Sequence, residues 1–150
     1  MRWNVLLIWF LLAGGAVAQT VDPEALFRQG VSLYRNEQYQ EGLDRFLAVQ
    51  INRTEESTLE EALIHYNIGV GYYRLSQPEP AGKAFQQALQ TADIALQQNA
   101  YFNLGNAQYQ IARQALNDGD VGTAFKGFQS AQTNFMQALR LASDDHAAKV

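Results

Sequence analysis

Apolar residues recur at spacings of three and four along most of the chain, the spacing of one face of an α-helix. No stretch alternates apolar and polar residues with enough β-branched side chains to indicate a strand. The sequence therefore predicts an all-α protein. Caps and breakers divide the pattern into six helices, over about residues 23–36, 38–51, 57–76, 78–91, 93–116 and 121–142.

Short motifs set several of these boundaries. Asp22 precedes Pro23, the arrangement of an N-cap followed by proline in the first turn. The run Ser57-Thr58-Leu59-Glu60 has the spacing of a capping box and predicts the start of the third helix. Asn117-Asp118-Gly119-Asp120 predicts a turn, so the fifth and sixth helices are unusually long.

Two stretches of the chain share one spacing and indicate an internal repeat. Each starts at a glycine, continues with a small residue 12 positions later and reaches a phenylalanine four positions after that: Gly30, Gly42 and Phe46, then Gly69, Ala81 and Phe85. A glycine inside a helix costs about 1 kcal/mol relative to alanine. We therefore expect a second helix to approach each glycine, with the small residue opposite it and the phenylalanine one turn further on.

A third stretch begins at Gly105 and reaches Ala124 after 19 positions, followed by Phe128 and Ala131. The spacing from glycine to small residue is seven residues longer than in the other two stretches. Seven residues form about two helical turns. We therefore predict that the third hairpin is longer by about one turn in each arm.

These stretches resemble the tetratricopeptide repeat (TPR) family, through Asn67-Ile68-Gly69, Tyr72, Ala81, Phe85 and Ala88, and through the run from Tyr101 to Ala107 followed by Tyr109. The resemblance implies a right-handed α-solenoid of about three helical hairpins within residues 19–150, over units 23–51, 58–91 and 94–142, the last one elongated. The chain departs from the family pattern at Leu26 and His65, where a bulky aromatic is usual, and no proline ends the repeats.

The first residues have the pattern of a secretory signal peptide. Arg2 precedes an apolar run from Val5 to Ala13, and Ala16-Val17-Ala18 supplies small residues for cleavage. We expect cleavage after Ala18, export of the mature chain, most simply to a bacterial periplasm, and no stable membrane span afterwards. The alternative is a retained N-terminal anchor, although the apolar stretch is shorter than the roughly 20 residues that a spanning helix needs.

Composition narrows the classes of function. The chain of 150 residues has no Cys, which excludes disulfides, thiolate metal sites and cysteine nucleophiles. The net charge of −4 argues against nucleic acid as a partner. His65 is expected to be structural, and the carboxylates beside His146 lie near the C-terminus rather than on separate rigid elements. We therefore expect no enzyme activity, no metal and no cofactor.

The first helix of each hairpin carries a stripe that is suited to a partner. In the TPR family these helices line a concave groove that holds a peptide or a partner helix. The stripe combines aromatic rings, amides and arginines, a set that fits an acidic or carboxylate-bearing segment of another protein. The predicted partner-binding residues are Phe27, Arg28, Tyr34, Arg35, Tyr66, Asn67, Tyr73, Arg74, Phe102, Asn103, Asn106 and Tyr109.

The leading functional prediction is thus an exported, non-catalytic adaptor or scaffold that binds another protein in this groove. The alternative is a structural subunit of an envelope assembly, which self-associates by stacking through its C-terminal helix. That helix carries Phe125, Phe128, Phe135 and Met136, whereas the end of a solenoid needs a polar outer face.

Overall fold

The computed structural model describes residues 22–148, with side chains described as far as Ser143. Every regular element within this range is a helix, which confirms the all-α prediction. Within the same range, no helix is both long enough and apolar enough to cross a membrane. The predicted signal peptide lies outside the described residues. The helices are α1 (Pro23–Arg35), α2 (Tyr39–Asn52), α3 (Glu61–Arg74), α4 (Pro78–Ala88), α5 (Ile94–Asn117) and α6 (Val121–Ala148).

Three of the helices start at aspartate caps, and that of α6 is Asp120, whose carboxylate accepts from the Thr123 amide at 2.9 Å. The Asp22 carboxylate accepts a hydrogen bond from the Glu24 amide at 3.0 Å, and proline follows in the first turn of α1. The Asp93 carboxylate accepts from the amides of Ala95 and Leu96 at 2.8 and 3.1 Å, at the start of α5. Each cap satisfies amides that have no partner inside the helix.

The predicted capping box at Ser57 is wrong, because α3 begins only at Glu61. Ser57 Oγ instead donates a hydrogen bond to Glu24 Oε1 on α1 at 2.8 Å. The Ser57 hydroxyl, which the capping box assigned to a helix start, therefore forms a long-range bond instead. At the other end of the chain, α6 continues to Ala148, about two turns beyond the predicted end near residue 142.

The helices pack mainly in chain order. Helix α1 packs on α2, α3 on α4 and α5 on α6, while α2–α3 and α4–α5 contacts join the pairs. The main core joins the first two pairs, and its most buried members come from α2 and α3: Leu43, Phe46, Val49, Ile64 and Ile68. Burial of these side chains supplies the main driving force for folding.

The repeated glycines lie directly beneath phenylalanine rings. A Cβ atom built on Gly30 would lie 2.6 Å from Phe46, and one on Gly69 would lie 2.7 Å from Phe85. The phenylalanine therefore covers the glycine itself, and the predicted position one turn further on is wrong. Gly42 does approach the other helix closely, since its Cβ would lie 3.2 Å from the carbonyl oxygen of Gly30.

The pairing of α5 with α6 corrects the predicted register of the third pair. A Cβ on Gly105 would lie 2.7 Å from Phe135, so Phe135 and not Phe128 covers this glycine. The partner follows 30 positions after the glycine here, but 16 positions after it in the other two pairs, from 30 to 46 and from 69 to 85. The pair is therefore longer by about two turns in each helix, twice the predicted extension.

Candidate partner-binding surface

All twelve residues predicted to bind a partner lie on α1, α3 and α5, and none of them is buried. We call the side of the molecule that carries them the first-helix face. The arginine and aromatic side chains of this face that are exposed to solvent are Arg28, Arg35, Arg74, Phe102 and Tyr109.

The aromatic residues of the face are partly core residues. Phe27 packs on Phe46 with ring centroids 5.5 Å apart, and Tyr66 packs on Phe85 at 5.9 Å. In the longer third pair two such contacts occur, seven residues apart in each helix: Phe102 with Phe135 at 5.7 Å and Tyr109 with Phe128 at 5.4 Å. Phe102 and Tyr109 still expose 53% and 44% of their surface, which leaves aromatic area for a partner.

Arg74 on α3 is held by two tyrosines of the first pair. Its Nε donates a hydrogen bond to Tyr34 Oη at 2.9 Å. The guanidinium carbon lies 5.9 Å from the centroid of the Tyr34 ring and 5.7 Å from that of Tyr39, within the range of cation–π attraction. The hydrogen bond with Tyr34 raises the pKa of Arg74 further, so the side chain stays cationic.

Asn103 makes an equivalent link between α5 and α3. Its Nδ2 donates to Tyr66 Oη at 3.0 Å, and Asn106 Nδ2 donates to Asn103 Oδ1 at 3.5 Å. Burial raises the pKa of the Tyr66 phenol, which therefore stays protonated. Asn67 on α3 matches Asn103 on α5 in the sequence. The residue on α1 that matches Tyr66 is Phe27, which has no hydroxyl to accept a hydrogen bond. Asn67 Nδ2 donates instead to the Leu63 carbonyl of its own helix at 2.8 Å.

Because α5 is long, it extends past the end of α3 and forms one wall of a cleft of about 550 Å³. Gln110 and Gln114 line this wall, opposite Tyr73 and Arg74 of α3. The cleft thus places one cation, two amides and an aromatic ring around a single space, which the carboxylate residue Glu79 also lines. Such side chains hydrogen-bond to a carboxylate or to an extended backbone.

Arg28 and Arg35 do not line this cleft. They lie along a separate depression of about 380 Å³ on α1, together with Phe27 and Val31. Arg28 also forms an ion pair with Asp22 at 3.7 Å. The structure therefore brings Tyr73 and Arg74 together, but it separates these two from the arginines of α1.

The sequence analysis did not identify two further residues of this surface. Tyr39 supports Arg74 from α2, and Gln114 lies on the wall of the cleft about two and a half turns beyond Gly105. The signal for Tyr39 is its position seven residues before Phe46, the same spacing that separates Phe128 from Phe135. Gln114 has no counterpart in the other two pairs, because α1 and α3 each end five residues after their glycine.

Glu24 holds a structural position beside the face. Its Oε1 accepts hydrogen bonds from Ser57 Oγ at 2.8 Å, from the Thr58 amide at 2.9 Å and from Thr58 Oγ1 at 3.2 Å. These donors, led by the Ser57 hydroxyl, lower the pKa of Glu24 from 4.5 to about 2. The carboxylate therefore fastens the α2–α3 connection to α1.

The titratable side chains away from this face are the other candidates for chemistry. Between residues 22 and 143 no three His, Asp or Glu side chains gather to hold a metal ion. His65 is buried, with Nε2 3.6 Å from Glu61 Oε1 on the same helix. The carboxylates and imidazole of residues 144–146 lie outside the described side chains.

Comparison with known proteins gives no guide to the partner: no protein-family model matches the chain, and no curated protein matches it. What the first-helix face can bind therefore follows from its own side chains. These are a supported guanidinium, several amides and the exposed edges of aromatic rings.

Proposed function

We propose that this chain is an exported, non-catalytic adaptor that binds a peptide or a helix of another protein along its first-helix face. In this proposal residues 1–18 form a cleaved signal peptide, the mature protein resides in the periplasm, and residues 19–150 form a right-handed solenoid of three TPR-like hairpins. The order of the helix pairs and the repeated glycine–phenylalanine contacts support this architecture.

The observation that carries the proposal is the setting of Arg74. Its guanidinium is exposed, yet it is positioned by a hydrogen bond and by two aromatic rings at the edge of a cleft. A mobile surface arginine loses side-chain entropy when it binds a partner, whereas this one is already largely ordered. Within residues 22–143 it pairs with no carboxylate, so its charge is available to a ligand.

The chemistry of the cleft indicates the class of partner. Tyr34 occupies Nε of Arg74, so the two terminal nitrogens remain to donate to a carboxylate. Gln110 and Gln114 can both donate to and accept from a peptide backbone. We therefore assign an acidic or carboxylate-bearing segment as the ligand, with its backbone held along α5.

Charge reversal tests this function. The double variant Arg35→Glu, Arg74→Glu should lose the partner that chemical crosslinking recovers with the wild-type protein, and added salt should weaken the wild-type complex. Arg45→Glu with Lys83→Glu is the matched control, since both residues are exposed, on α2 and α4, and the pair makes the same change in charge. Unchanged helical circular dichroism in all variants would show that folding is intact. Retention of the partner by the double variant would refute the proposal.

The alternative, a structural subunit that stacks through its C-terminal helix, draws on a different observation. Phe125, Met136 and Leu139 of α6 are exposed, whereas Phe128 and Phe135 pack inside the α5–α6 pair, so the apolar surface differs from the one predicted. A stacked assembly would grow with protein concentration in sedimentation experiments. An adaptor would not.

A further inference from the structure

Helix α6 exposes an apolar stripe that the first-helix face does not include. Phe125, Met136 and Leu139 expose 67%, 63% and 70% of their surface. Their spacing, with Gln132 between them, places all four on one side of the helix over about 21 Å. Large apolar side chains grouped in this way mark an interaction site more often than singly exposed ones do.

On α2 and α4, the second helices of the first two pairs, the corresponding side is covered by the next helix in the chain. Leu43 of α2 lies against α3, since a Cβ on Gly71 would lie 3.1 Å from it. Gly82 of α4 lies against α5, since its own Cβ would lie 3.7 Å from Leu104 and 3.8 Å from Ala107. Leu43 comes three positions before Phe46, and Gly82 comes three positions before Phe85, the two phenylalanines that cover the repeated glycines.

The equivalent residue of α6 is Gln132, three positions before Phe135, and it is exposed. Within the described residues the stripe therefore continues the surface by which each earlier second helix receives the next helix. A single helix could pack along α6 in the way that α3 packs on α2 and α5 packs on α4.

Between Val121 and Ser143, the part of α6 whose side chains are described, the charges beside the stripe have one sign. Lys126 and Arg140 are exposed, and helical periodicity places both along the same edge of the stripe, about 21 Å apart. Between Val121 and Ser143 the sequence contains neither Asp nor Glu, although the whole chain is acidic. An occupant with carboxylates along the matching edge gains electrostatic complementarity.

A second copy of this chain does not meet that requirement. Two α6 helices packed antiparallel about a two-fold axis would place Lys126 of one copy beside Arg140 of the other. A head-to-tail arrangement would place the stripe on the outer side of α1, where Gln29 and Ser32 are exposed and Arg28 and Arg35 flank them. Both arrangements bring like charges together, and the second also covers apolar side chains with polar ones.

We propose that the outer side of α6 is a second docking surface, which takes an amphipathic helix of another protein, about four turns long, with acidic residues along one edge. This surface lies on α6 and adjoins the first-helix face at one place, where Leu139 and Phe102 line a common pocket of about 240 Å³. The apolar side chains supply contact area, while Lys126 and Arg140 select the charge and the orientation of the helix.

A synthetic helix of about 18 residues, long enough to be stabilised by side-chain crosslinks, provides the probe. Its leucines follow helical spacing and its glutamates lie on one edge. A control peptide carries lysine at the glutamate positions. We expect saturable binding of the acidic peptide by fluorescence anisotropy, and binding of the lysine peptide that is weaker on the order of tenfold, because two rim charge pairs change sign.

Variants of exposed residues locate the binding. Lys126→Glu with Arg140→Glu should reverse the preference between the two peptides, and Met136→Gln with Leu139→Gln should lower the affinity for the acidic peptide by tenfold or more. The variant Arg35→Glu, Arg74→Glu should bind the peptide as the wild type does. Failure of the adaptor function would therefore be seen separately from failure of this surface.

Three outcomes would overturn the inference. One is equal binding of the two peptides or no saturable binding of either. Another is binding that the Met136→Gln, Leu139→Gln variant leaves unchanged. The third is a concentration-dependent oligomer in sedimentation that the same variant abolishes, which would identify a second copy as the occupant.

Discussion

Gly69 shows at the scale of one residue how a helix accepts an unfavourable residue for the sake of packing. Phe85 is almost fully buried and its ring occupies the space that a side chain would need. The sequence pattern did predict close approach at this glycine. It did not predict the ring as the neighbour, because the spacing of glycine, small residue and phenylalanine fits both arrangements.

Substitution of this glycine tests the contact. Gly69→Ala should lower the free energy of unfolding by about 1 kcal/mol, because overpacking costs roughly 1–3 kcal/mol and outweighs the gain in helix propensity. The matched control is Gly82→Ala, where the nearest atoms are 3.7 Å away and the gain of up to about 1 kcal/mol should dominate. Urea unfolding measures both variants. Equal stabilisation by the two substitutions would mean that Phe85 does not lie on Gly69.

Glu24 makes stability depend on pH. Its pKa is about 2 in the folded protein and 4.5 ordinarily, so its contribution is complete above about pH 4.5 and is lost as the pH falls towards 2. We expect the wild type to be more stable than Glu24→Gln at pH 6 and the difference to shrink steadily on acidification. Denaturation at a series of pH values gives this difference directly.

Glu55→Gln is the control for this experiment, since Glu55 is an exposed carboxylate in the connection that Glu24 fastens. Its effect on stability should change little over the same pH range. A Glu24→Gln difference that stays constant from pH 6 to pH 2 would show that the bonds to Ser57 and Thr58 do not hold in solution.

At the scale of the helices, the length of the third pair was the main feature that the sequence did not settle. Ala124, Phe128 and Ala131 have the same mutual spacing as Ala131, Phe135 and Ala138. A shift of seven residues therefore satisfies the local pattern equally well. The register is fixed by long-range contacts between α5 and α6, such as those of Gly105 with Phe135 and of Tyr109 with Phe128.

Matched deletions test this register. Removing residues 110–116 from α5 together with 121–127 from α6 restores the 16-residue spacing between Gly105 and Phe135 that the other pairs have. This variant should remain helical and unfold cooperatively. Removing only one of the two segments leaves arms of unequal length and should lower the midpoint of thermal unfolding clearly further. Equal tolerance of the single and the double deletions would contradict the assigned register.

At the scale of the whole molecule, the sequence predicted the number and order of the helices within the described residues, because their caps, breakers and apolar spacing are local signals. It also assigned the candidate site to α1, α3 and α5. It could not predict which side chains of that stripe hydrogen-bond across helices. Tyr34 with Arg74 and Tyr66 with Asn103 are pairs that depend on how one helix lies beside the next.

These hydrogen bonds divide the first-helix face into two parts. Part of it fastens successive first helices to each other. Another part presents open aromatic surface at Phe102 and Tyr109, while the half-buried Tyr73 lines the cleft. The central claim is that another protein occupies the open part. The α6 stripe gives the molecule a second and chemically different surface, on the side of the last helix.

The most direct measurement is photo-crosslinking from single positions in cells that produce the protein. A photoreactive phenylalanine analogue replaces Tyr73, Tyr109 or, as a control, Gln50, which is exposed on α2. We predict that positions 73 and 109 crosslink to the same partner, that position 50 does not, and that Arg35→Glu with Arg74→Glu abolishes the product at position 73. Crosslinking that is equally strong from position 50, or that persists in the charge-reversed protein, would contradict binding by the first-helix face.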